Sequence, residues 1–341
     1  MTQWRLRLAM SAFGLCALGV LGLASQALAS DRYALIVSGA SGSKDVAEQQ
    51  QKWRVALAKA MRNKMQIPQD HLVVLSDQPT DGSGEGGSGQ PELLATKENV
   101  DAAFNKLTRN MQRDDVMLVV LIGHSTYDGV DAKFNLVGPD FEANDWQRFV
   151  SNVAGRVVFV NTTGASAPFM QRIAGPRRIV ITATDNPAQR YDTIFPEFFS
   201  QAFDAPDADL DKDGRVSIWE AFAYASAKVK LYYRQRGQLS VERPVLDDTG
   251  DGVGKDSTEL GPDGAVASRT FLDAGGDPVA DTNPALSEMI NRRNTLENDF
   301  DELKRRRDFM PAGDYEKQRD LILIDIARIS HSIRLQQSKS S

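Results

Sequence analysis

Carboxylates recur at alternate positions in Asp209, Asp211 and Asp213, and the run continues through Gly214, Arg215, Ser217 and Glu220. Counted from Asp209, side-chain oxygens fall at positions one, three, five, nine and twelve. Glycine stands at six, where the chain must bend sharply, and Arg215 offers its main-chain carbonyl at seven. This is the ligand spacing of an EF-hand calcium loop. Such hard oxygen donors suit Ca2+ held as a structural staple, which stabilises the fold by mass action; the alternative is an acidic turn that holds no ion. On the far side of the loop Trp219, Phe222, Ala223 and Ala227 give one apolar helical face. Before it, Pro206 interrupts the pattern of residues 195–203, which fits a single loop docked on a larger domain better than a paired sensor module. A second acidic stretch places Asp247, Thr249 and Asp251 at positions one, three and five, but no carboxylate reaches position twelve, Glu259 falling one residue late. That stretch accommodates an ion loop or a tight Asp-Gly turn equally.

The elements around these loops read as an α/β protein. Residues 33–37, 72–75, 117–122, 157–160 and 179–182 are short Val, Ile and Leu runs with little alternation, as expected of strands buried on both faces of a parallel sheet. Between them, residues 46–65, 97–111 and 144–153 have amphipathic spacing, with Thr96 and Asn144 expected as N-caps. Strand and helix in alternation predict an open, mostly parallel sheet with right-handed crossovers, flanked by helices. Residues 80–91, rich in Gly, Ser and Asp, read as a surface loop without apolar surface to bury. After residue 280 two apolar stripes follow, one through Leu286, Met289, Ile290, Leu296, Phe300 and Leu303, the other through Tyr315, Ile322, Ile326, Ile329 and Ile333. With the break at residues 310–313 they predict a C-terminal α-helical hairpin, packed on the main domain or forming a coiled-coil surface for self-association.

In open sheets of this kind functional groups gather beyond the carboxyl ends of the strands. The strand ending at Ile122 runs into Gly123, His124 and Ser125; the one ending at Val160 runs into Asn161, Thr162, Thr163, Gly164, Ala165 and Ser166. His71, at a strand start, and His331, in the terminal helix, have no second ligand at metal spacing and read as surface or packing residues.

This arrangement resembles the legumain-type and caspase-like cysteine peptidases, in which a His-Gly pair follows one strand and an Ala-Cys or Thr-Cys pair follows the next. Residues 34–42 resemble that family's first strand and its Gly-rich turn, residues 134–140 the segment leading to the helix before the nucleophile strand, and residues 178–184 the strand after it. The likeness spans about residues 31–255, and the acidic Gly-rich stretch near Asp247 is similar to one in bacterial members. Carried over residue by residue, it implies that His124 is the catalytic histidine, that Thr163 stands at the nucleophile position, and that Ser125 occupies the glycine whose N–H would help hold the oxyanion. Ser41 stands where legumains carry an asparagine, and the basic residue that should follow that turn has no match. The chain's one cysteine, Cys16, lies far from these positions. Without a thiolate the resemblance implies a degenerate peptidase that binds rather than cleaves. The alternative is an endopeptidase using His124 with a hydroxyl of Thr163 or Ser166; an internal threonine lacks the terminal amine on which threonine nucleophiles rely. A third reading is a purely structural envelope protein.

The amino terminus carries Arg5 and Arg7, an apolar run over residues 8–23, and Ala27-Leu28-Ala29, the pattern of a secretory signal cleaved before Ser30. Leu15 before Cys16 argues against a lipoprotein. Cleavage removes two arginines and no acid, so the formal charge moves from −6 to −8. The expected organisation is a signal peptide at 1–29, the peptidase-like domain at 30–205, its completion by the two acidic loops at 206–280, and the hairpin at 281–341. Expected partners are an envelope protein or peptide, or a second copy through the hairpin, in the periplasm or outside the cell. No stable membrane insertion is expected after cleavage. Nucleic-acid binding is not supported, because the one basic block, residues 304–307, lies within the helical repeat. A mature chain free of cysteine has no disulfides and depends on its core and on bound ions.

Overall fold

The computed structural model describes residues 30–340 apart from 85–86, 190–191, 260–261 and 274–283; the expected signal peptide lies outside the described residues. In chain order, strand β1 (Arg32–Ser38) leads into helix α1 (Lys44–Asn63), then β2 (Leu72–Ser76), β3 (Leu93–Leu94) and α2 (Lys97–Thr108). Next come β4 (Val116–Ile122), the three short strands β5 (Ser125–Tyr127), β6 (Ala132–Phe134) and β7 (Phe141–Glu142), and α3 (Ala143–Ser151). The chain continues through β8 (Arg156–Asn161), α4 (Ala167–Ile173), β9 (Arg178–Thr182), α5 (Phe195–Ala202), α6 (Ile218–Gln235) and β10 (Val245–Asp247), and ends with α7 (Pro284–Arg305) and α8 (Ala312–Ser340).

Seven strands form one sheet in the order β10-β9-β8-β4-β1-β2-β3. Every pair is parallel except β9 with β10, which is antiparallel at one edge. All five expected strands are present. Their side chains alternate between faces, as strand geometry requires. Ala34 and Ile36 face a core made with α1, α5 and α6, including Leu57, Met61, Phe199 and Phe222. Leu35 and Val37 face the opposite core, made with α2, α3 and α4, including Phe104, Trp146 and Phe169. Because both faces are covered, no alternation of apolar and polar residues survives in the strands. From β1 the chain builds outward to β2 and β3, then returns across β1 to β4 and builds outward on the other side. The strand order therefore reverses between β1 and β4, and a crevice opens beyond their carboxyl ends.

Thr96 caps α2, its side chain accepting from Asn99 N. Asn144 does not cap α3. Glu142 does, in a capping box with Asp145, whose carboxylate accepts from Glu142 N at 3.2 Å; the reciprocal pair satisfies two amides where Asn144 satisfies one. The loop at 80–91 is also more deeply seated than its composition implies. Ser88 and Gln90 are buried, and Gln90 Nε2 donates to Leu72 O at 3.2 Å. Beside it Glu92 accepts from Arg54 Nε at 3.0 Å and Nη2 at 3.2 Å, and both side chains are shielded from solvent. Ser88, Gln90 and Glu92 each find a partner here, with Gln90 Oε1 left unbonded.

His71 packs as expected, its ring stacked on Tyr33 at 4.2 Å and Nδ1 lying 3.2 Å from Arg32 O; His331 is exposed. The hairpin forms: α8 packs on α7, with Met289 and Ile329 against Ile333. In turn α7 is tied to the sheet domain by Arg113 to Asp299 at 2.8 Å and to Glu302 at 3.0 Å, and by Arg269 to Glu297 at 3.5 Å. Among the described residues, no helix is long and apolar enough to cross a membrane.

Removing one charge of the buried Arg54–Glu92 pair leaves the other uncompensated, so Glu92→Gln is expected to lower stability by about 3 kcal/mol. Urea unfolding of the two proteins measures it, and an unchanged midpoint would show that the pair is not buried as described.

Candidate functional site

The crevice is built from turns at the ends of β1, β4, β8 and β9. After β1, Gly39 N donates to Ile122 O at 2.9 Å, and a Cβ at Gly39 would sit 2.2 Å from Asn135 O, so only glycine fits there. Two residues on, Ser41 is held by Asp77 Oδ2, which accepts from its N at 3.0 Å and its Oγ at 2.6 Å. After β4, Gly123 takes φ +138° and turns His124 toward the β1 side. There His124 Nε2 lies 3.4 Å from Ser41 O and Nδ1 lies 3.1 Å from Asp192 Oδ1. Both ring nitrogens are directed at acceptors, and neither is directed at a hydroxyl.

Because β4 and β8 are neighbours, the turn carrying Thr163 follows the strand beside the one that leads to His124. The Thr163 side chain is fully buried. Thr163 Oγ1 donates to Asn161 Oδ1 at 2.8 Å and is hydrogen-bonded to Ser125 Oγ at 2.7 Å, while Thr163 N donates to the same Asn161 oxygen at 3.1 Å. Ser125 opens β5, paired with Phe134. Ser166 is buried too, but points elsewhere: its Oγ accepts from Thr184 N at 3.2 Å and lies 3.1 Å from Thr184 Oγ1. The Ser166 hydroxyl is thus engaged at the end of β9.

Three groups at this site have no sequence signature. Asp192 is held in place through its neighbours Thr193, Ile194 and Phe195. The Thr193 hydroxyl donates to Thr162 O, and Glu242 accepts from Ile194 N at 2.8 Å and Phe195 N at 2.9 Å. Glu242 also accepts from Tyr233 Oη at 2.7 Å, and burial pushes its carboxyl above the usual range. Asn161 is the third, positioned as the last residue of β8. Only a count of polar residues at strand ends could have flagged it, since Asp192 and Glu242 reach the site from separate loops. Alongside lies a cleft of about 430 Å3 between the β5–β7 sheet and α4, lined in part by Tyr127, Asp131, Glu142, Gln171, Arg172 and Asp185.

In the acidic loop before α6, one oxygen each from Asp209, Asp211 and Asp213 lies within 4.8 Å of the others. Asp209 Oδ2 accepts from Gly214 N at 3.0 Å, where Gly214 takes φ +87°, and Asp209 Oδ1 is buried without a hydrogen-bond partner. Burial, with Asp211 and Glu220 close by, raises the Asp213 carboxyl above its ordinary value. An orphaned buried oxygen among three converging acids fits a hard divalent cation. Ser217 and Glu220 also have a structural engagement. They form the capping box of α6, with Glu220 Oε2 accepting from Ser217 N and Oγ at 2.8 Å each and Oε1 accepting from Leu210 N at 2.8 Å. The Arg215 guanidinium pairs with Asp273 at 2.8 and 2.5 Å and lies over the Phe271 ring, anchoring the loop to the main domain.

In the second acidic stretch the carboxylates accept from the loop's own amides, Asp247 from Gly252 N as Asp209 does from Gly214 N. Asp247 accepts from Gly250 N at 2.7 Å, Gly252 N at 2.8 Å and Thr249 Oγ1 at 3.1 Å, and Asp251 accepts from Val253 N at 2.8 Å. Nearby Asp263 accepts from Asp248 N at 3.1 Å, and burial, with Asp247 and Asp248 adding repulsion, pushes its carboxyl up to about 6.

No protein-family model matches the chain, and no curated protein matches it. Among solved structures, protein GSU0716 of Geobacter sulfurreducens is similar over 64% of this chain and 92% of its own, at 12% identity and a TM-score of 0.38.

Since the folded protein favours protonated Asp263, its contribution to stability is complete below the unfolded pKa of 3.8 and is lost as pH rises through about 6. Asp263→Asn keeps an acceptor for the same amides without the charge. In calcium-free buffer it should stabilise by about 1 kcal/mol at about pH 8, allowing for partial exposure, and by nothing near pH 4. Thermal unfolding at both pH values reads the difference; equal effects at the two would contradict the assignment.

Proposed function

We propose that this chain is an exported relative of the legumain-type and caspase-like peptidases that binds a protein or peptide of the cell envelope at its strand-end crevice without cleaving it, with a calcium ion stapling residues 209–220. The observation that carries this reading is the engagement of Thr163. Its hydroxyl is buried and bonded to Asn161 and Ser125, while His124 faces Ser41 O and Asp192. A nucleophile needs a base within hydrogen-bond reach and an open path to substrate, and this hydroxyl has neither. Support for the kinship comes from the sequence motifs and from the adjacency of the two strands that carry them; the cleft beside them offers an extended chain a place to lie.

The peptidase reading keeps one favourable observation: the His124–Asp192 pair supplies the orienting carboxylate that a general base requires. A peptide library incubated with the purified protein, with Thr163→Ala and with His124→Ala separates the two readings. Binding predicts no turnover by any of them and specific capture of an envelope component by the calcium-replete protein. Turnover abolished by either substitution would establish the enzyme instead.

For the ion, the donors would be Asp209, Asp211 and Asp213 with the Arg215 carbonyl, and Glu220 after release from its cap. Calcium at a hundredfold excess over its Kd is expected to stabilise the protein by about 2.7 kcal/mol. Asp209→Asn should abolish that increment. A melting temperature unmoved between EDTA and millimolar calcium would remove the staple from the account.

A further inference from the structure

Helix α8 has two apolar seams, and the hairpin uses one. Ile322, Ile326, Ile329 and Ile333 recur at alternating spacings of four and three, and Ile329 and Ile333 pack with Met289 of α7. On the opposite face Leu321, Ile324, Arg328, His331 and Leu335 recur at three and four, the a and d positions of a second heptad series. Leu321 is 58% exposed, Ile324 48% and Leu335 49%. Side chains of this size repeated along one helical stripe mark an association surface rather than scattered surface leucines.

The charges on this face select the occupant. Asp314, Asp320 and Asp325 outnumber Lys317 in the first half of the stripe, Asp320 being paired with Arg319 of its own helix at 2.8 Å, while Arg328, His331 and Arg334 occupy the second half without an acid. We infer that α8 pairs with α8 of a second copy of this chain in an antiparallel, two-fold arrangement that sets Leu321 of one copy against Leu335 of the other. In that register Asp320 of each copy lies beside Arg334 of the other, and Ile324 lies near Ser332. Arg328 falls at the two-fold axis, flanked by Asp325, with which it is already paired at 3.4 Å within its own helix. A parallel pairing would bring Asp320 beside Asp325 of the other copy, whereas the antiparallel one sets Asp320 beside Arg334 and Asp325 near His331, with Arg328 meeting its own counterpart in either. The isologous solution closes on itself and leaves the crevice on the sheet free.

Because Cys16 is the one native cysteine, cysteine crosslinking in a Cys16→Ser background reads the register directly. Protein carrying Leu321→Cys mixed with protein carrying Leu335→Cys is expected to give a disulfide-linked dimer, and neither protein is expected to do so alone. Self-linkage of Leu321→Cys in place of the mixed dimer would overturn the antiparallel arrangement. In sedimentation experiments the unmodified chain should be a dimer at tens of micromolar. Arg334→Glu should weaken it at least tenfold, and Asp320→Lys combined with Arg334→Glu should restore it. A monomer at those concentrations, or a dimer indifferent to both charge reversals, would overturn the inference, and circular dichroism of each variant confirms that the hairpin is still folded.

Discussion

A parallel sheet covered on both faces leaves no room for polar side chains within its strands, and that constraint governs where chemistry can occur in this protein. Polarity is displaced to the carboxyl ends, where most buried hydroxyls find a partner while Asn161 Nδ2 is left without one. Thr162 Oγ1 donates to Leu121 O at 2.7 Å, Thr182 Oγ1 to Thr184 O at 2.9 Å, and Ser38 Oγ to Gln50 Oε1 at 3.3 Å. Thr163 and Ser166 belong to the same set. Their hydroxyls close the floor of the crevice, and the reversal of strand order between β1 and β4 leaves His124 as the polar ring above it.

The same economy of partners links distant parts of the chain. Helix α6, which begins at the acidic loop, carries Tyr233; Tyr233 and two backbone amides meet on Glu242; and those amides start α5, directly after Thr193 and Asp192. A buried carboxylate that accepts three hydrogen bonds is costly to displace, so the segment carrying Asp192 is fixed from behind. His124 therefore takes its orientation from residues more than a hundred positions later in the chain.

The strands were legible because uninterrupted Val, Ile and Leu runs have one stable placement, between two helical layers. Thr96 was legible as a cap for a local reason, since its hydroxyl reaches an amide three residues on. Asn144 failed as a cap because a reciprocal pair, Glu142 and Asp145, competes for the same helix start. The alternate carboxylates of the acidic loop converge as their spacing predicts, yet the spacing alone did not tell that Ser217 and Glu220 also close the first turn of α6. Residues 80–91 look featureless in composition; their seating depends on Arg54 and Leu72, which are far away in sequence. Asp192 and Glu242 carried no signal, because they meet His124 and α5 only after the tertiary fold is complete.

The central claim is that position 163 holds a buried side chain bonded within the crevice floor, with no base aimed at it. The alkylation rate of a Thr163→Cys protein in a Cys16→Ser background measures this directly, since its thiol is then the single sulfhydryl. A thiol shielded as described should react on the order of a thousandfold more slowly than in the unfolded chain, and His124→Ala should not change the rate. Rapid alkylation of the folded protein that falls when His124 is replaced would contradict the account and show a nucleophile position poised beside its base.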